Sequence, residues 1–320
     1  MSEMISPRKS GVVGTDVRSA ANPHEALALA GLDWRTEAAP LTGLFGDDPS
    51  VAVRKPVTSH VCNYRSDNLN QLGVVSDGFQ AIQNSDMADF AQTLIEAGDG
   101  VVLESAAALK GGRKVFMMLA GESFSVGRGD VSQCYFMLAN AHDGSMSFRA
   151  IPTTRRLVCQ NQLHSMMSSK AEFTIRHTSS ALDRVAQARQ TIAHYERAQV
   201  ELLEAIQTLA SRDVTREQVQ EFWLESYQRD FGGIPVQPKD DKEQAKRDRA
   251  LDAVNKMADR FDRERDVAGA TAWNAFNAYS GWVQHDRRTR SADRTEVNLF
   301  GASARMTSKA FSKALTELAV

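Results

Sequence analysis

The chain has 320 residues, 42% of them hydrophobic, and its 38 basic and 40 acidic residues nearly cancel to a net charge of -2. That is enough apolar material for one large domain or two associated ones, and the charge balance excludes a global attraction to nucleic acid or to an anionic membrane, so any polyanion contact must come from local clustering. Cys62, Cys134 and Cys159 are odd in number and far apart, which excludes a disulfide framework and a Cys-x-x-Cys metal knuckle and points to a reducing cytoplasm.

Residues 1–21 are small and polar, a flexible leader with little to bury and without the apolar stretch of a secretory signal. Apolar runs such as Val115 to Ala120 are far too short to span a bilayer, so a soluble protein is expected. Asn22 before Pro23 is a cap and first-turn pair for a short helix over residues 24–30, ended by Gly31. From Trp34 to about Ile151 the pattern becomes short β-type runs punctuated by turn residues: 51–57, 60–64, 72–75, 101–106, 113–120, 132–140 and 145–151. Among them, residues 85–97 form a helix capped by Asn84 or Ser85, with Met87, Phe90 and Leu94 as its apolar stripe. A second helical stretch is expected over residues 154–167, although Val158 and Cys159 also suit a strand.

From Ser180 the chain turns helical. Ser180 with Asp183 resembles a capping box, and Leu182, Val185, Ile192, Tyr195, Leu202, Ile206 and Leu209 keep a helical period to about Ser211. Thr215 with Gln218 opens a further helix, which Gly232-Gly233 and Pro235 stop. Residues 239–265 are charge-dense with one narrow apolar edge, residues 268–283 are more apolar, and a last helix is expected over 304–318. The fold class is therefore α+β: a curved, largely antiparallel sheet with a covering helix, followed by a helical C-terminal half. The division expected is 1–21 leader, 22–178 sheet-containing domain and 179–320 helical region.

Metal and catalytic signals are thin. His60 with Cys62, and Cys159 with His164, lack companion ligands, so no metal and no other cofactor is called for. Cys159 near Arg155 and Arg156 has a positive neighbourhood that lowers a thiol pKa, but a buried apolar role is favoured. His142-Asp143-Gly144 looks like an acid/base pair, yet Asp-Gly between two β runs is a strong hairpin signal, and Ser76-Asp77-Gly78 reads as a turn likewise. Gly111-Gly112 and Gly127-Arg128-Gly129 lack the Lys-Ser/Thr and the following helix of a phosphate loop. Two basic clusters stand against the neutral whole. The first holds Arg149, Arg155, Arg156, Lys170 and Arg176 with Asn161, Gln160 and Gln162 as hydrogen-bonding companions; the second holds Arg287, Arg288, Arg290, Arg294, Arg305, Lys309 and Lys313. A groove following a phosphate backbone needs such local charge, and Phe148, Phe173 and His177 are placed to stack on unpaired bases; solvated faces and core positions are the plain alternatives.

Several strings recur together: Gly31-Leu-Asp-Trp34, Ser76-Asp-Gly-Phe-Gln80 with Gln83-Asn84, Asn140-Ala-His-Asp-Gly144, Val158-Cys-Gln-Asn161, Ile175-Arg-His-Thr178 and Trp273-Asn-Ala-Phe-Asn-Ala278. Together they resemble a phage/plasmid-like protein family carrying a domain of unknown function (domain of unknown function 932). The resemblance runs from about Gly31 to the C-terminal region and implies a mobile-element setting without a mechanism. The family's opening Pro-Trp-His-Gly-like segment is not found in the leader.

The function expected is non-enzymatic nucleic-acid binding in a phage, plasmid or integrated element, through single-stranded DNA binding or annealing in recombination. The outline is similar to that of single-strand annealing proteins, which is an analogy of fold. The candidate contacts are Arg149, Arg155, Arg156, Asn161, Lys170, Arg176, Arg287, Arg288 and Arg290. The expected partners are single-stranded nucleic acid and further copies of the chain, with no membrane. The alternatives are an assembly factor acting through the long helices and a hydrolase using Asp77, His142, Asp143 or Cys159.

Overall fold

A computed structural model describes residues 13–46, 52–98, 100–126, 130–156, 162–164, 173–174, 181–289 and 293–319; the side chains of 156, 162–164, 173–174, 181–185 and 188 stand outside it. The order begins β1 (Thr15–Asp16), α1 (Pro23–Leu29), β2 (Thr36–Phe45), β3 (Val53–Arg65), β4 (Gln71–Ser76), α2 (Asn84–Ala97), β5 (Val102–Leu109), β6 (Lys114–Val126), β7 (Asp130–Ala141) and β8 (Arg149–Arg156). It continues with β9 (Gln162–His164), β10 (Phe173–Thr174), α3 (Ala181–Ala210), α4 (Arg216–Phe231), α5 (Asp241–Arg263), α6 (Arg265–Ala268), α7 (Ala272–Gly281), α8 (Arg294–Leu299) and α9 (Ala302–Glu317). Among the described residues the strands make one sheet in the order β1-β5-β6-β7-β8-β10, with β9 beside β8, and a second of β2-β3-β4. The registers given by the ladders β1–β5, β5–β6, β2–β3, β3–β4, β8–β9 and β8–β10 are antiparallel. The α+β expectation holds.

Two compact units divide the contacts: residues 1–121, 135–151 and 172–195 form the first, and 122–134, 152–171 and 196–320 the second. In the first, α1 begins where Asn22 accepts a hydrogen bond from the Glu25 amide at 3.0 Å with Pro23 already in helical φ. It packs on α2, whose Met87, Ala88, Phe90, Ala91 and Leu94 are buried. Phe90 meets Phe148 edge to face with ring centroids 5.8 Å apart, which places Phe148 in the core and removes it as a stacking residue. Val115 to Leu119 are buried at every position, as an inner strand covered on both faces requires.

In the second unit the core is helical. Leu202, Ile206 and Leu209 of α3, Val219, Phe222 and Trp223 of α4, Met257 of α5, Trp273, Phe276 and Tyr279 of α7, and Phe311 of α9 form one apolar cluster. Thr215 and Gln218 form the expected capping box at the start of α4.

Three expectations are corrected, and one strand is added to those expected. The helix expected from Asn84 or Ser85 is entered through Gln83, because the Asn84 amide is turned inward and the Gln83 amide instead donates to Asp86 at 2.8 Å. No helix starts at Thr154: β8 continues to Arg156 and pairs antiparallel with β9, Arg155 opposite Gln162, a ladder that suits the run Ile151, Thr153 and Thr154. Residues 36–45, with their Ala, Pro and Gly, carry little strand propensity of their own and are strand because β3 supplies a ladder along their whole length. The helix expected over 268–283 starts afresh at Ala272, capped by the Thr271 hydroxyl on the Asn274 amide at 3.2 Å, and widens into a π turn over Trp282–Asp286.

Candidate functional site

Among the described residues, the strings 31–34, 83–84 and 140–144 meet in a buried polar network of the first unit and the string 273–278 contributes to one in the second, while 76–80 is a largely exposed turn and 158–161 and 175–178 lie outside the described residues. In the first, His142 is fully buried at the end of β7. Its Nε2 lies 3.0 Å from Asn84 Oδ1 and its Nδ1 2.9 Å from Thr36 Oγ1. Asn84 Nδ2 donates to the carbonyls of Leu32 at 2.9 Å and Trp34 at 3.3 Å, so its Oδ1 must be the acceptor. That fixes His142 as the Nε2–H tautomer, with Nδ1 accepting from the Thr36 hydroxyl. Asn63 Nδ2 donates to the His142 carbonyl at 2.9 Å, and Trp34 stands edge-on to the imidazole with centroids 5.2 Å apart. Asn140 Nδ2 caps the Ile82 carbonyl at 2.9 Å, and Gln83 pairs both ways with the backbone of Thr36, at 2.8 and 3.1 Å. Burial lowers the His142 pKa to about 4, and the Asp143 charge opposes that shift only in part.

Such a histidine is neutral and enclosed, with both ring nitrogens engaged. It has neither access to a substrate nor a free nitrogen to take up a proton, so it works as a clamp between β7, β2 and α2. Gly144, at φ +75, closes the turn that the Asp-Gly pair signals, and Asp143 accepts from the Ser145 amide at 2.9 Å. Asp77 is exposed in its own turn, and Cys159 lies outside the described residues. His60 bonds its neighbour Ser59 at 2.9 Å, and no group of three His, Cys, Asp or Glu among the described residues is placed to hold a metal.

In the second unit, the string 273–278 is buried throughout. Trp273 Nε1 donates to the buried Asp130 carboxylate at 2.8 Å, and Asn274 Nδ2 ties the carbonyls of Phe261 and Gly269 to α7, both at 2.9 Å. One helical turn on, the Tyr279 hydroxyl bonds Asp230, which also pairs with Arg229 at 2.6 Å. Burial, and after it the Asp230 charge, hold the Tyr279 phenol protonated well above the usual phenol range. This network is charged where the first is neutral.

The candidate contacts are distributed as follows. Arg149 is half-buried, with Nε 3.1 Å from Ser147 Oγ. Arg155 is 5% exposed and engaged in the interior, so its guanidinium is not offered to a polymer at the surface. The side chain of Arg156, and Asn161, Lys170, Arg176 and Arg290, lie outside the described residues, as does the side chain of Phe173 and all of His177. Arg287 is half-buried and donates to Ser303 Oγ at 3.0 Å; burial, and then the nearby Arg294 charge, lower its pKa. Arg294 is spent on the carbonyls of Gln284 at 2.8 Å and Arg287 at 3.0 Å, and Lys313 pairs with Glu225 at 2.5 Å and with Glu317.

Arg288, Arg305 and Lys309 are exposed and face no acid among the described residues. Arg305 and Lys309 stand four apart on the outer side of α9, opposite the buried Ser303, Thr307 and Ala310. Within this unit β9 packs on α9, so the β8–β9 ladder from the first basic stretch and the helix bearing the second are neighbours. One exposed aromatic was not among the sequence candidates: Phe45, at the end of β2. The signal for it was the turn-forming Gly46-Asp47-Asp48-Pro49 ahead of the 51–57 run, which implies a strand on its near side.

Residues 71–303 match the family model described as Domain of unknown function (DUF932). No curated protein and no solved structure matches the chain.

Proposed function

Since the chain belongs to the DUF932 family, a membership that supplies lineage and no chemistry, we propose its function from the geometry: non-enzymatic binding of single-stranded nucleic acid. The carrying observation is the pair Arg305 and Lys309, four apart on the outer side of α9, exposed and facing no acid among the described residues. An extended phosphate backbone wants unpaired cations at the surface on a rigid support, and a packed helix is such a support. Arg288 is a further exposed cation, and Arg287 braces the helix from within through Ser303 Oγ at 3.0 Å. The protein acts in this reading as a binding or annealing factor of a phage, plasmid or integrated element.

Anisotropy of a labelled single strand titrated with the full chain across a salt series tests the proposal. Affinity should fall as salt rises, and Arg305→Ala with Lys309→Ala should weaken binding and flatten the log–log slope by about 1.4, at ~0.7 per lost phosphate contact. No binding at low salt ends the proposal. The second reading is an assembly factor acting through the long helices. Light scattering that returns a stable oligomer without any oligonucleotide affinity would select it.

A further inference from the structure

We propose that the outer part of the β2–β3 ribbon is a second contact for single-stranded nucleic acid, with Phe45 as the surface on which an unpaired base stacks and Lys55 as the cation beside it. The proposal rests on the binding function proposed above and gives it a separate, local element. The ribbon precedes the residues that match the family model, 71–303.

β4 pairs with β3 only between His60 and Tyr64, so beyond the register shift at Pro40/Leu41 the hairpin is two-stranded. Five cross-strand pairs follow, from Leu41↔Val57 to Phe45↔Val53, a length of roughly 17 Å at ~3.4 Å per residue. Directly opposed residues share a face and neighbours alternate. One face therefore carries Leu41, Gly43, Phe45, Val53, Lys55 and Val57, and the other Thr42, Leu44, Arg54 and Pro56.

Phe45 folds back along the first of these faces. A Cβ built on Gly43 would stand 2.8 Å from Phe45 Cε2 and 3.1 Å from its Cζ, so the ring occupies space that only a glycine leaves open. The ring nevertheless remains 54% exposed, with Val53 beside it at 56%. Lys55 is the register partner of Gly43 and so lies directly across from the residue under the ring. An exposed ring on a backbone platform with a cation alongside is the arrangement by which bases are stacked and their phosphates held.

The other occupant of an exposed ribbon is a second copy adding a strand. Pro56, within the two-stranded part of β3, lacks the amide hydrogen that such addition uses. Charge points the same way. The outer part of β3 carries Arg54 and Lys55 and no carboxylate, while the one acid of β2, Glu37, bonded by the Tyr64 hydroxyl at 2.7 Å, and Arg65, paired with Asp67 at 2.7 Å, lie at the other end of the ribbon.

The test uses the full chain and a single strand carrying 2-aminopurine, read by fluorescence and anisotropy. Phe45→Ala and Phe45→Leu should each weaken binding roughly tenfold and remove the quenching that stacking causes, while Phe45→Trp should bind as the parent does. Lys55→Ala should lower the salt slope by about 0.7. If Phe45→Ala and Phe45→Leu bind like the parent while Arg305→Ala with Lys309→Ala binds weakly, the ribbon is not a contact and the wider function stands. If the parent binds no strand, both fall. A change of oligomeric mass on Phe45→Ala would overturn the ribbon's assignment in favour of a second copy.

Discussion

The two buried networks solve one problem in opposite ways. Around His142, polarity is carried by neutral groups, an imidazole, two asparagines and a threonine, each matched donor to acceptor. Around α7 it is carried by acidic side chains: Asp130, which accepts from Trp273, and Asp230, ion-paired with Arg229 and bonded by Tyr279. A matched neutral network needs little compensation when buried, whereas a buried charge is tolerated only with its partner in place. The first unit should therefore be sensitive to proton uptake and the second to loss of a single carboxylate.

The largest effect is expected at Asp230. Its side chain is 5% exposed, so Asp230→Ala leaves Arg229 without its counter-charge and Tyr279 without its acceptor. Urea denaturation should show a loss of about 3 kcal/mol, with Asp230→Asn losing less because an acceptor remains. An unchanged midpoint would break the contrast between the units.

Next comes acid. The unfolded chain binds a proton at His142 near pH 6.5, and the folded one only near 4. Folding therefore favours the neutral form. The contribution is complete above pH 6.5 and is lost as pH falls from 6.5 to about 4, by about 3 kcal/mol in total. Denaturation midpoints at pH 7, 5.5 and 4 should fall along that course, and His142→Asn should remove the part of the slope that belongs to this group.

The smallest of the three is Trp273→Phe. It keeps the ring and removes only the Nε1–H donated to Asp130 at 2.8 Å. A loss of about 2 kcal/mol is expected for one hydrogen bond to a buried carboxylate. A loss well below 1 kcal/mol would show that the remaining partners of Asp130 suffice.

These sites also mark what a sequence can and cannot disclose. Local devices were readable: Asn22 with Pro23, Thr215 with Gln218, and the apolar period of α3 each act within a few residues. The Asp-Gly turn at 143–144 was readable for the same reason. The networks were not, because their partners are remote: Thr36 and His142 lie 106 positions apart, and Asp130 and Trp273 143 apart. The cap of α2 was misplaced on that account, since Asn84 serves a distant carbonyl in preference to its own helix. Of the basic clusters, sequence showed charge but not aim. Arg155, Arg287 and Arg294 point into structure, while Arg288, Arg305 and Lys309 point out.

The central claim is that His142, within the string 140–144, is a buried structural group of the first unit, and that the proposed nucleic-acid contact falls to exposed cations such as Arg305 and Lys309. Long-range nitrogen-15 NMR of His142 through a pH titration tests it most directly. A neutral ring with Nε2 protonated, unchanged from pH 7 down to about 5 and unaffected by added oligonucleotide, is the expected result. A ring that titrates near pH 6.5, or shifts its tautomer when the strand is added, would contradict the claim and put His142 back among the reactive groups.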